Sequence, residues 1–195
     1  MNAFSSIIVS SLRDEYVSKP VRTRRGWISL SNVRPELGPP WLIAFNNPTD
    51  LDEESYVSQF YRDADPATSR SVHRSCNGVR LFGTRFQIPG VNFLSSDDKG
   101  ADFLNKPVDF DVAGGLVLPK MSPTNGFVMG TSHAPQNGGR PSVLWDIVEP
   151  GGSILTGFFD ETSKTEKSFE RMEDWLAFRA VQAQAWYEAD VARMT

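Results

Sequence analysis

Cysteine is almost missing from the chain: Cys76 is the only one in 195 residues. A lone thiol excludes an intramolecular disulfide, and with just two histidines, His73 and His133, a four-ligand Cys/His zinc set is excluded too. Long apolar runs are also lacking. Nothing approaches the roughly 18 consecutive apolar residues of a membrane span. The opening MNAFSSIIVSSLRDE has no basic n-region, and its apolar run, Ile7 to Val9, is too short for a signal peptide. The expected location is a virion or the cytoplasm, without secretion through a signal peptide and without a membrane partner.

Motifs for several chemistries are missing as well. There is no GxxxxGK(S/T) loop, no GxGxxG opening a helix and no GxSxG elbow, so nucleotide hydrolysis, dinucleotide redox work and elbow-type serine hydrolysis have no local support. Gly130-Thr131-Ser132-His133 sets a serine beside a histidine, but neighbours in a strand point to opposite faces. His73 and Cys76 lie three apart in a polar loop with Arg70 and Arg74 near them, and Arg80 follows. A buried thiol and solvated imidazoles outweigh a dyad, because nucleophilic use needs a base in reach and a lowered thiol pKa. The acids Asp97, Asp98, Asp102, Asp109 and Asp111 lack the spacing of a calcium loop and read as solvated carboxylates. No cofactor and no metal is expected, and no catalytic residue is assigned.

What is present is ordinary globular material: 39% hydrophobic and 23% charged residues, 15 Gly, 13 Pro, five Trp and 13 Phe. A chain of this length buries roughly 70% of its unfolded surface and needs no staple. Its organisation divides into an N-terminal segment with a basic arm (1–25), a β-rich core (26–160) and a helical C-terminal arm (161–195).

Residues 3–17 place Phe4, Ile7, Ile8, Leu12 and Tyr16 at helical spacing, and 18–26, SKPVRTRRG, has no apolar periodicity and reads as an extended arm. Strands are predicted at 27–31, 41–45, 79–82, 84–88, 108–112, 116–118, 127–130, 143–148 and 154–159, and a short helix at 50–63. Turn chemistry such as Asn77-Gly78 and Pro150-Gly151-Gly152 separates them. Short strands so punctuated, with no helices alternating among them, predict a mainly β, α+β chain: an antiparallel sandwich or barrel with a long C-terminal amphipathic helix.

In the C-terminal arm, Phe169, Met172, Leu176, Ala180, Ala183, Tyr187, Val191 and Met194 recur at steps of three and four, with Trp175 and Trp186 widening that stripe. Thr162 or Ser163 as cap, with Glu166 at capping-box spacing, predicts where the helix starts. Phe178 and Val181 fall off the stripe, so the helix is either covered on two sides or carries a second contact surface.

These patterns lead to a function by analogy of shape: a non-enzymatic structural subunit of a large assembly, of virion coat or tail type, contacting copies of itself or other subunits through its ends. The candidate subunit contacts are Phe169, Met172, Trp175, Leu176, Phe178, Val181, Trp186 and Tyr187. Lys19, Arg22, Arg24 and Arg25 are candidates for phosphate or an acidic partner. Residues 1–25 carry five bases against two acids and residues 160–195 eight acids against five bases, so the two ends attract in sign. Four charges on a net −4 chain are few for holding nucleic acid, which ranks that partner lower. The alternatives are a monomeric β-barrel that binds a small ligand or hydrolyses one, and a nucleic-acid adaptor using the basic arm.

Overall fold

A computed structural model describes residues 3–17, 20–22, 26–29, 42–46, 74, 78–83, 85–88, 127–135, 143–149, 151–158 and 165–194. Two short helices open the chain, α1 (Ala3–Ser10) and α2 (Asp14–Val17). Ser10 and Ser11 donate their hydroxyls to the Ile7 carbonyl at 3.0 and 2.8 Å, closing the last turn of α1.

Among the described residues nine strands follow in one antiparallel sheet, and each pairs with the next described strand. They are β1 (Pro20–Arg22), β2 (Gly26–Ser29), β3 (Ile43–Asn46), β4 (Val79–Leu81), β5 (Phe86–Ile88), β6 (Phe127–His133), β7 (Val143–Val148), β8 (Ile154–Phe158) and β9 (Thr165–Phe169). The chain ends in α3 (Met172–Met194). A mainly β, α+β chain with an antiparallel sheet, a short N-terminal helix and a long C-terminal one is the class expected from the sequence. No helix among the described residues is long and apolar enough to cross a membrane.

Alternation decides which residues meet the helices. Ile43 and Phe45 of β3, Val79 and Leu81 of β4, and Phe86 and Ile88 of β5 lie in matching register positions. They share one buried cluster with Ile8 and Leu12 from the N-terminus and Trp175, Leu176, Ala180, Ala183 and Tyr187 from α3. Each large apolar side chain buried this way contributes about 1.5–3 kcal/mol. The edge of Phe86 meets the Trp175 ring at 5.6 Å between centroids, an arrangement that favours aromatic pairs beyond their area. On the opposite face, Gln87, Thr131 and Trp145 form one row in register and are buried as well.

Several expectations need correction. The arm at 18–26 is partly strand: Val21 faces Ile28 and Arg22 faces Trp27, so β1 and β2 form a hairpin. The C-terminal helix starts at Met172, ten residues after the expected cap at Thr162. Thr165–Phe169 pairs with β8 instead, because a strand edge offers backbone partners that a helix start does not. Phe169 accordingly belongs to a strand. The strands at 108–112 and 116–118 and the helix at 50–63 lie outside the described residues.

Candidate functional site

The long helix α3 gathers three features: a buried ion pair, an outward face and a groove against α2. Its inward face buries Trp175, Leu176, Arg179, Ala180, Ala183 and Tyr187. Arg179 is the surprise among them, a cation in the apolar arc. It is matched by Asp146, the acid within the apolar strand VLWDIV.

Arg179 Nε donates to both Asp146 oxygens, at 3.0 and 3.1 Å, and Nη2 donates to Oδ1 at 2.5 Å. Nη1 donates to Gln182 Oε1 one turn on. Burial pushes the Asp146 carboxyl above its ordinary range, and the Arg179 guanidinium and the Trp175 indole pull it back. The indole N–H makes no hydrogen bond of normal geometry among the described residues, so its help is through proximity. Space for the carboxylate comes from Gly130, opposite Asp146 in register: a Cβ there would sit 3.1 Å from the Gln87 carbonyl and 3.2 Å from the Phe86 ring. This pair fixes how α3 sits on β7.

The outward face is nearly free of charge along its middle. Ala177, Phe178, Val181, Ala185, Ala189 and Ala192 follow one another at helical spacing, interrupted by Gln182 and Glu188. Val181 is 53% exposed. Phe178 is half-buried, its ring 5.2 Å from that of Phe169, with the Lys167 ammonium 4.3 Å above it. That covering explains why a large aromatic can stand off the stripe.

The groove, about 370 Å³, lies between α2 and the last turns of α3 and is lined by Arg13, Glu15, Tyr16, Tyr187, Glu188, Val191 and Ala192. Its rim is charged: Arg13 Nη2 lies 2.6 Å from both Glu15 Oε1 and Glu188 Oε1, and Tyr16 donates its hydroxyl to Glu188 at 3.2 Å. Its floor is aromatic. Phe82 stacks on Tyr187 and meets Tyr16 edge-on, both at 5.2 Å. Phe82 also has a φ of 49°, a left-handed backbone that a bulky side chain adopts only when its surroundings hold it there. Beside the groove, Arg85 joins α3 to the sheet by bonding Asp190 and donating to the His133 carbonyl at 2.7 Å.

The residues singled out from the sequence separate into groups. Phe169, Trp175, Leu176 and Tyr187, among the expected subunit contacts, are buried in the chain's own core, with Tyr187 still lining the groove. Met172, Phe178 and Trp186 are half-buried and Val181 is exposed. Arg22 ends β1, while Lys19, Arg24 and Arg25 lie outside the described residues, as do Arg70, His73, Cys76, Asp97, Asp98, Asp102, Asp109 and Asp111. Arg74 is exposed and Arg80 sits in β4. Ser132 is fully buried, while His133, on the other side of the strand, is half-buried at its end, so the two do not act together. Among the described residues no group of three or more His, Cys, Asp or Glu could hold a metal ion. No family model matches the chain, no curated protein matches its sequence and no solved structure matches its fold.

Proposed function

We propose that the protein is a non-enzymatic structural subunit of a larger protein assembly, of the kind that forms virion coats or tails, and that it meets its neighbours through the outward face of α3. The observation that carries this reading is the mostly apolar row from Ala177 to Ala192, which Gln182 and Glu188 interrupt. Scattered apolar residues on a surface need no explanation, but this row runs some 22 Å along one helix, at about 1.5 Å per residue. Alanines let another helix approach closely, near the short end of the usual 8–10 Å between axes. Val181 and Phe178 then supply the apolar contact.

Light scattering on the purified chain tests the reading. Concentration-dependent association that Val181→Glu with Ala185→Glu abolishes, at an unchanged melting temperature, supports it. Leu176→Asp is the contrasting variant: it places a charge in the core and unfolds the chain itself. A compact monomer at high concentration, across salt conditions and with its natural partner proteins present, would sink the assembly reading. The small-ligand alternative is favoured by the groove beside α2. The charged rim of that groove suits a cationic group better than a neutral ligand.

A further inference from the structure

The groove between α2 and α3 carries two carboxylates, Glu15 and Glu188, and one guanidinium, Arg13, so its rim has a net charge of 1 − 2 = −1. An anionic ligand would have to displace both acids from Arg13 and then face their charge. A cation would meet two carboxylates and the faces of aromatic rings, and the groove already holds one: the Arg13 guanidinium lies 5.5 Å from the centre of the Tyr16 ring. Arg13 makes this contact at the surface, where water can replace its partners. Its side chain is 55% exposed, and the Glu15 side chain beside it is 61% exposed. Below them Tyr16 and Tyr187 pack with each other and with Phe82, which holds a left-handed backbone.

The chain also contains a segment of the matching chemistry. Residues 18–26, SKPVRTRRG, carry four bases and no acid. We propose that the groove accepts an arginine or lysine side chain from residues 18–26 of a second copy of this chain, with Arg13 filling that position until the neighbour arrives. The inference rests on the assembly reading and deepens it by naming which basic segment meets which acidic surface. Exchange of one cation for another keeps the charge balance, so docking leaves no carboxylate unpaired. The aliphatic stem of the incoming side chain lies along Tyr187 and Val191.

The test uses a capped peptide of residues 18–26 titrated into the full chain, with Lys19, Arg22, Arg24 and Arg25 of that chain changed to Gln so that it has no basic segment of its own to compete. Binding is followed by amide chemical shifts. Saturable binding is expected, with shifts at Tyr16, Tyr187 and Glu188. Glu188→Gln, or Glu15→Gln should the first variant fold poorly, weakens it about tenfold. Arg13→Ala strengthens it by removing the resident competitor, and added salt weakens it. A peptide that fails to bind, that binds Glu188→Gln and Glu15→Gln as well as the parent, or that gains nothing from Arg13→Ala overturns the proposal. If association of the unmodified chain still depends on Val181 and Ala185 when the peptide fails, the groove is refuted while the α3 face stands.

Discussion

Arg179 and Asp146 meet with side chains 1% and 0% exposed, whereas Arg13 and Glu188 meet with 55% and 34% exposed. Both pairs tie α3 to another element, and both are close, yet they do different physical work. The buried pair has lost its water and must be satisfied by its own three bonds and Gln182, so either partner alone is a stranded charge. It sets the position of the helix and cannot be exchanged. The surface pair keeps water as an alternative partner on both sides, so it can open at little cost. Depth, more than distance, separates a contact that holds the fold from one that is free to trade partners.

The strongest way to break this comparison is Asp146→Ala. It leaves Arg179 buried and unpaired and is expected to cost about 3–5 kcal/mol, read from urea denaturation. Replacing both members by apolar residues, Asp146→Leu with Arg179→Met, should recover most of that loss. A single-variant loss below about 1 kcal/mol would mean that the pair behaves as a surface one.

A smaller effect comes from His133, which lies between the two depths. Burial first, and then the charge of Arg85, lowers its pKa below the ordinary 6.5. The unfolded chain therefore takes up a proton that the folded chain refuses. Stability is fully present above about pH 6.5 and falls as the pH drops toward the lowered folded value. Denaturation midpoints at about pH 7.5 and about pH 5.5 should differ less in His133→Asn than in the parent. An equal difference in both proteins would assign the slope to other groups.

The smallest effect sharpens the contrast. Glu188→Gln removes the surface pair and should leave the melting temperature essentially unchanged, even where it weakens binding in the groove. A melting shift comparable to that of Asp146→Ala would show that α2 is clamped, not poised.

Much of the fold could be read from the residues, because alternation and three-four spacing report directly which side faces the core. VLWDIV at 143–148 becomes a strand with the predicted bounds, and the apolar arc of the last helix buries Trp175, Leu176, Ala180, Ala183 and Tyr187. Elements whose order comes from a neighbour could not be read. PVR at 20–22 has no pattern of its own and is strand because β2 lies beside it. TEKSF at 165–169 has a capping-box spacing just before it and is strand because the β8 edge claims it. The buried pair has a signal in the sequence, an acid in an apolar strand and an arginine within the apolar arc of a helix. The groove had a fainter one in the opposite charges of the two ends. Sequence could not place Arg13 beside Glu188, since that depends on α2 reaching across the chain.

The hydrogen-bonded ladder from β1 to β9 has a consequence for how the molecule is made. Each described strand pairs with the next described one, so pairs such as β1–β2 and β7–β8 form from local contacts, whereas β3–β4 and β5–β6 must close over the long stretches 47–78 and 89–126. A far longer reach is made by the clasp where the backbone N–H of Arg13 meets Gln184, 171 positions away, at 3.0 Å. That clasp needs nearly the whole polypeptide, so during synthesis the opening helices wait until the final one emerges. The helices near the two ends therefore pack together late, once both are available.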